Sequence, residues 1–139
     1  NNCIINIEIK SLSYTNSTIE QSIIDLINLY NITANCIVSS FNPLVIRRIK
    51  KIDPDIHTAF LWTKNNSQLI FNTPIWIQFC IPNSIHVDIN LLDDNLIQWA
   101  RQKNLSVMVF TITSQKEFEK AKSFNVDGVI IEQQNLMTF

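Results

Sequence analysis

Glycine is almost absent from this 139-residue chain, where Gly128 is the only one. That excludes a glycine-rich phosphate loop and a dinucleotide-binding turn, since both need several residues without a Cβ at fixed spacing. No apolar run approaches the ~20 residues of a membrane span, and no charged start followed by an apolar segment marks a signal peptide. The expected compartment is the cytoplasm. Neither sign of charge dominates, because 11 Lys and Arg against 12 Asp and Glu leave a formal charge of −1. Without a positive excess there is no electrostatic footprint for nucleic acid. The one basic cluster, Arg47, Arg48, Lys50 and Lys51, is expected to be a solvated helix face.

Cysteine is also scarce. Cys3, Cys36 and Cys80 are far apart, odd in number and set in apolar segments, so a disulfide framework and metal-ligand spacing are both lacking. They are expected to be small buried hydrophobes. The Asn-x-Ser/Thr triplets at Asn16, Asn31, Asn66 and Asn104 are expected to be chance matches in an Asn-rich chain. The chain begins Asn1-Asn2-Cys3 without an initiator Met, as expected of a processed product or of part of a longer protein.

What is present is a core-forming composition with a regular alternation of periods. A hydrophobic content of 46% suffices for one ordinary domain over residues 1–139. Short β-branched runs, the mark of strands, occur at Ile4 to Ile9, Cys36 to Ser39, Thr58 to Trp62, Ile75 to Phe79, Ile85 to Val87, Val107 to Thr111 and Val129 to Ile131. Amphipathic stretches fill the gaps. Ile19, Ile23, Leu26 and Ile27 form a stripe at helical spacing, and Asn42 and Pro43 stand as cap and first turn of a second helix. Asp93 and Asp94 open a helix that ends in Arg101 and Lys103, acid first and base last as the helix dipole prefers. Ser114, with Glu117 three residues on, opens another through a capping box. Strand and helix alternating from end to end predict an α/β fold with a parallel sheet and right-handed crossovers.

In such folds the chemistry sits beyond the carboxyl ends of the strands. The first strand is unusual there. Ile5, Ile7 and Ile9 alternate with Asn6, Glu8 and Lys10, so a carboxylate and an ammonium share one face. Parallel strands normally bury both faces, so these charges need a polar outlet, such as the mouth of a barrel. The competing expectation is a half-exposed strand whose charges are merely solvated.

The residues that end the strands carry a resemblance. Asn6-Ile7-Glu8-Ile9-Lys10, Val38-Ser39-Ser40-Phe41, Pro54, Ser84-Ile85-His86, Val109-Phe110-Thr111 and Val126-Asp127-Gly128-Val129-Ile130 resemble, in order and spacing, the glycerophosphodiester phosphodiesterases from their third barrel strand to their eighth. The resemblance implies a parallel (β/α) TIM-barrel-type fold, here an incomplete barrel lacking the first two strands. It implies hydrolysis of glycerophosphodiesters, small-molecule substrates, to an alcohol and glycerol 3-phosphate with a divalent cation, Mg²⁺ or Ca²⁺. Glu8 would be a metal ligand, since hard oxygens suit these ions. Lys10 would hold the phosphate as a point charge. Phe110 would line the pocket wall where the family usually has an aromatic residue, and His86 would reach substrate from a strand end. His57, before its strand, is expected to be structural.

The family's His-Arg-Gly motif, its Glu-x-Asp pair and the catalytic His that follows have no counterpart here, so no catalytic residue is assigned. Near the end, Ile131-Glu132 stands in place of the family's Thr-Asp. The expectation is a carboxyl-terminal fragment of a phosphodiesterase, marginally stable and inactive by itself. The alternatives are a non-catalytic remnant acting as a binding or interaction module, and another parallel α/β hydrolase with the same strand-end carboxylate.

Overall fold

The computed structural model describes residues 3–15, 18–63 and 75–132. In chain order it contains β1 (Ile5–Glu8), α1 (Thr18–Leu29), β2 (Cys36–Ser40), α2 (Pro43–Ile52), β3 (His57–Trp62), α3 (Ile75–Cys80), β4 (Ser84–Asp88), α4 (Asp94–Gln102), β5 (Ser106–Ile112), α5 (Gln115–Ser123) and β6 (Gly128–Ile131). The described residues fall into two compact units. One takes the chain up to Leu61 together with residues 75–83, and the other takes Trp62, Thr63 and residues 84–132.

In the first unit β1 pairs with β2 and β2 with β3, all parallel. Ile9, Cys36 and Val38 meet Ile24 and Ile27 of α1 and Val45 and Ile49 of α2 in one buried cluster, with Ile7 packed against it. Alternation along the strands therefore turns Glu8 and Ser39 to the other face. In the second unit β4 pairs with β5 and β5 with β6, again parallel. Ile85, Val87, Val107 and Val109 expose nothing to solvent, and Leu96, Ala100 and Ala121 are the buried positions of α4 and α5. Six parallel strands, each pair joined through a helix, give the α/β class that alternation predicts: a (β/α) barrel-type fold in incomplete form.

Local signals for the helix starts hold. Asn42 caps α2 by accepting from Leu44 N–H, with Pro43 first in the helix. Asp93 caps α4, and Ser114 and Glu117 complete the capping box of α5. Helix ends account for three of the asparagines in a chain with one glycine. Asn31, Asn104 and Asn125, just past α1, α4 and α5, have φ of 53°, 54° and 50°, the left-handed geometry that Gly usually supplies and Asn tolerates best among the rest. Two of the Asn-x-Ser/Thr triplets are thus helix C-caps. Gly128 serves close packing, since a Cβ there would stand 3.2 Å from Met108 Cε.

Four expectations need correction. Ile75 to Phe79 is not a strand but part of α3. Its apolar residues fit both periods, and the helix wins by burying Ile77 with Cys80 and by setting Trp76 edge-on to Phe79 at 5.6 Å, with Arg47 over the Phe79 ring. In α1 the buried stripe is Glu20, Ile24 and Ile27, while Ile19 and Leu26 are about half exposed. The basic cluster is not a uniformly solvated face. Arg48 pairs with the buried Glu20, and Lys50 donates to the Pro54 and Ile56 carbonyls at 2.9 Å each. Cys36 and Cys80 are buried as expected, but Cys3 is exposed.

Buried and bonded titratable groups set the pH range of stability. Burial, with the Lys50 charge, holds His57 below its ordinary 6.5, so its contribution is complete above 6.5 and is lost as pH falls through the lower folded value. Asp127 is partly buried, which raises its pKa. The Val107 N–H and the Arg101 guanidinium outweigh that and hold it below the ordinary carboxylate value, so further stability goes on acidification below about 4. At the alkaline side, burial pushes the Cys80 thiol up to about 12 from 9.0. The unfolded thiol ionises first, and stability declines from 9.0 upward. Urea midpoints should therefore be highest between about pH 6.5 and 9 and lower at pH 5 and at pH 10.5. A midpoint that does not change across that range would refute this assignment.

Candidate functional site

Glu8 ends β1, and Lys10 follows two residues later on the same side. The two charged ends are 4.0 Å apart, with side-chain exposures of 34% for Glu8 and 82% for Lys10. In register across the sheet, Glu8 stands beside Ser39 and Ser39 beside Ala59. Ile7 and Ile9 anchor the strand from its other face, so the alternating pattern delivers Glu8 and Lys10 to the polar side.

The segment after Lys10 is tied down by the Ser-Ser-Phe-Asn run of the next strand. Ser40 Oγ donates to the Ile9 carbonyl at 2.8 Å and accepts from Asn42 N–H at 3.1 Å. Asn42 Nδ2 donates to the Ser11 and Ser13 carbonyls at 3.1 and 3.2 Å, and Arg48 Nη2 reaches the Ser13 carbonyl at 3.3 Å. Ser40 and Asn42 thus position the loop that carries Lys10. Ser39, on the opposite face from Ser40, has no exposed surface, and its hydroxyl finds no hydrogen-bond partner among the described residues.

The second unit holds the other residues singled out in the sequence. His86 is the third residue of β4 and fully buried. The strand runs on to Asp88, so the strand end belongs to Asp88 rather than to His86. Asp88 accepts from Thr63 Oγ1 at 3.0 Å and from Asn90 N–H and Nδ2 at 2.9 Å each. Phe110, half-buried, is its register neighbour on β5. Asp127 of the Asp-Gly motif accepts from Val107 N–H and Arg101 Nη1, both at 2.7 Å, which joins the start of β5 to the approach to β6. Its role is structural. Glu8 and Lys10 are therefore brought together in one unit, and His86 and Phe110 lie in the other.

Two polar strand positions were given no role from the sequence, although Ser39 stands in the Ser-Ser-Phe run of the resemblance. Ser39 could have been found as the residue beside Glu8 once β1 and β2 were paired. Asp88 could have been found from the Asp-x-Asn spacing that caps the turn after β4.

Among the described residues no three His, Cys, Asp or Glu side chains gather where they could hold a metal ion. Mg²⁺ and Ca²⁺ take six or more oxygens, of which Glu8 is one carboxylate source among the described residues. No helix among the described residues is long and apolar enough to cross a membrane.

The class that the fold defines is a chain of the parallel (β/α) barrel type, here with a carboxylate and an ammonium at a strand end. The model of the glycerophosphoryl diester phosphodiesterase family matches residues 2–135, and the chain belongs to that family. It is 25% identical over 93% of its length to a glycerophosphodiester phosphodiesterase of Caldanaerobacter subterraneus subsp. tengcongensis, of which it covers 51%. The fold is similar to that of a glycerophosphodiester phosphodiesterase from Agrobacterium tumefaciens (TM-score 0.71, 14% identity, 96% of this chain and 54% of that one). It is also similar to an Oleispira antarctica phosphodiesterase in complex with the product sn-glycerol-3-phosphate (TM-score 0.67, 16% identity, 92% of this chain and 51% of that one). The chain spans about half the length of the curated relatives it matches, 46% and 51%.

Proposed function

We propose that this chain is part of a glycerophosphodiester phosphodiesterase, a hydrolase that releases an alcohol and glycerol 3-phosphate. A water oxygen bonds to phosphorus as the phosphorus–oxygen bond to the leaving alcohol breaks, and the proton ends on the alcohol. The observation that carries the proposal is the Glu8–Lys10 pair, 4.0 Å apart on the polar face of β1, in a chain that the family model matches almost throughout. Lys10 holds the phosphate as a point charge, and Phe110 is a wall residue. His86 contributes to the substrate pocket only if the complete protein opens the middle of β4. A divalent cation belongs to this function only with oxygens beyond the described residues, Glu8 supplying one of them. The fraction of the protein present here is inactive by itself.

The test is release of glycerol 3-phosphate from glycerophosphocholine by this chain, by its Glu8→Gln variant and by the longest product of its reading frame. Activity confined to the longer product and lost on Glu8→Gln is the expected result. Activity in none of them would overturn the proposal in favour of a binding module, and full activity in this chain would overturn its inactivity.

A further inference from the structure

Beside Glu8 lies a polar group that the fold leaves unused. Ser39 has no exposed surface, and its Oγ makes no hydrogen bond among the described residues. Buried hydroxyls are nearly always paired, because leaving one unsatisfied is destabilising. The adjacent Ser40 shows the ordinary arrangement, donating to one backbone group and accepting from another. Ser39 is on the other face, level with Glu8 in register and flanked on its far side by Ala59, whose methyl offers no partner and takes little room. Its other register neighbour is Glu8, whose side chain is one-third exposed.

We infer that the Ser39 hydroxyl is a specificity-determining group that bonds the glycerol end of a phosphorylated glycerol when Glu8 turns aside, with the phosphate on Lys10. The assignment to the glycerol end follows from depth: Ser39 is level with Glu8, two residues before Lys10 along the strand direction. A hydroxyl both donates and accepts, which matches a vicinal diol better than it matches a phosphate dianion. This inference rests on the phosphodiesterase proposal for the Glu8–Lys10 face.

The test is titration of this chain with sn-glycerol 3-phosphate and, separately, with inorganic phosphate, read by NMR shifts, for wild type, Ser39→Ala and Ser39→Thr. Wild type should bind glycerol 3-phosphate more tightly than phosphate. Ser39→Ala should lose about tenfold in glycerol 3-phosphate affinity, the size of one hydrogen bond, and keep its phosphate affinity. Ser39→Thr should retain part of the preference. A structural serine would behave differently, since its loss would lower the urea midpoint, whereas removing an unpaired buried hydroxyl should leave the midpoint equal or higher. Unchanged glycerol 3-phosphate affinity in Ser39→Ala would overturn this inference and leave the phosphodiesterase proposal standing. Failure of wild type to bind either ligand would overturn this inference, while the phosphodiesterase proposal is decided separately by the activity of the longest product.

Discussion

Replacing Arg48 with alanine should cost about 3–5 kcal/mol of stability. Glu20 is completely buried on α1, and Arg48 of α2 meets it through Nε at 2.8 Å and Nη2 at 2.5 Å, both on Oε1. Glu20 Oε2 has no hydrogen-bond partner among the described residues. The carboxylate therefore depends on one guanidinium, and removing that leaves an uncompensated buried charge. Arg48 also donates to the Ser13 and Tyr14 carbonyls at 3.3 and 3.4 Å, so the loop behind Lys10 loosens with it. Glu20→Ala should cost less, because the Arg48 side chain retains 15% exposure and can turn to water. Changing both to apolar residues, Glu20→Leu with Arg48→Met, should recover most of the loss, since a half-satisfied buried pair contributes little beyond what packing would. Urea unfolding of the four proteins decides it. An Arg48→Ala midpoint close to wild type would mean that Glu20 reaches water in solution. A domain of this size has only about 5–15 kcal/mol to lose.

That same pair shows what could be seen in the sequence and what could not. Alternation of strand and helix, the caps at Asn42, Asp93 and Ser114, and the polar edge of β1 are local signals, and each was legible from spacing alone. The buried stripe of α1 was not, because it includes a glutamate whose partner lies 28 residues away. A pattern rule counts Glu20 as polar and turns the helix to put Ile19 and Leu26 inside. Arg48 was misplaced for the mirror-image reason, as one of a run of cations whose differing contacts only the packed structure separates. Ile75 to Phe79 failed on period, since five apolar-rich residues satisfy both two-fold and helical spacing, and contact with α2 decides. The closeness of Glu8 and Lys10 was legible because they stand two residues apart at and just past the end of β1. Ser39 became visible only when pairing put β2 beside β1.

Lys10→Ala should lower glycerol 3-phosphate release by the complete protein about 10- to 100-fold, with stability within about 0.5 kcal/mol of wild type. A hydrogen bond to a charged group contributes about 1.5–3 kcal/mol, and each ~1.4 kcal/mol is tenfold. The structural cost is small because Lys10 is 82% exposed and its 4.0 Å pairing with Glu8 is a surface ion pair, of the kind that contributes about 0–1 kcal/mol. A fall in activity is thus separable from a fall in folding. Lys10→Arg keeps the charge but replaces a compact ammonium with a planar fork, so it should restore activity only in part. Added salt should weaken wild type more than Lys10→Ala, since screening acts on the charge that the variant lacks. Glu8→Gln supplies the sign. With a chelator present, a carboxylate beside the phosphate site repels the anion, and the variant should bind inorganic phosphate more tightly than wild type. With Mg²⁺ or Ca²⁺ the order should reverse if Glu8 is one of a larger set of oxygens. Full activity in Lys10→Ala at all salt concentrations would remove the phosphate from this strand end and leave its two charges as solvated edge residues, the competing account of the alternation in β1.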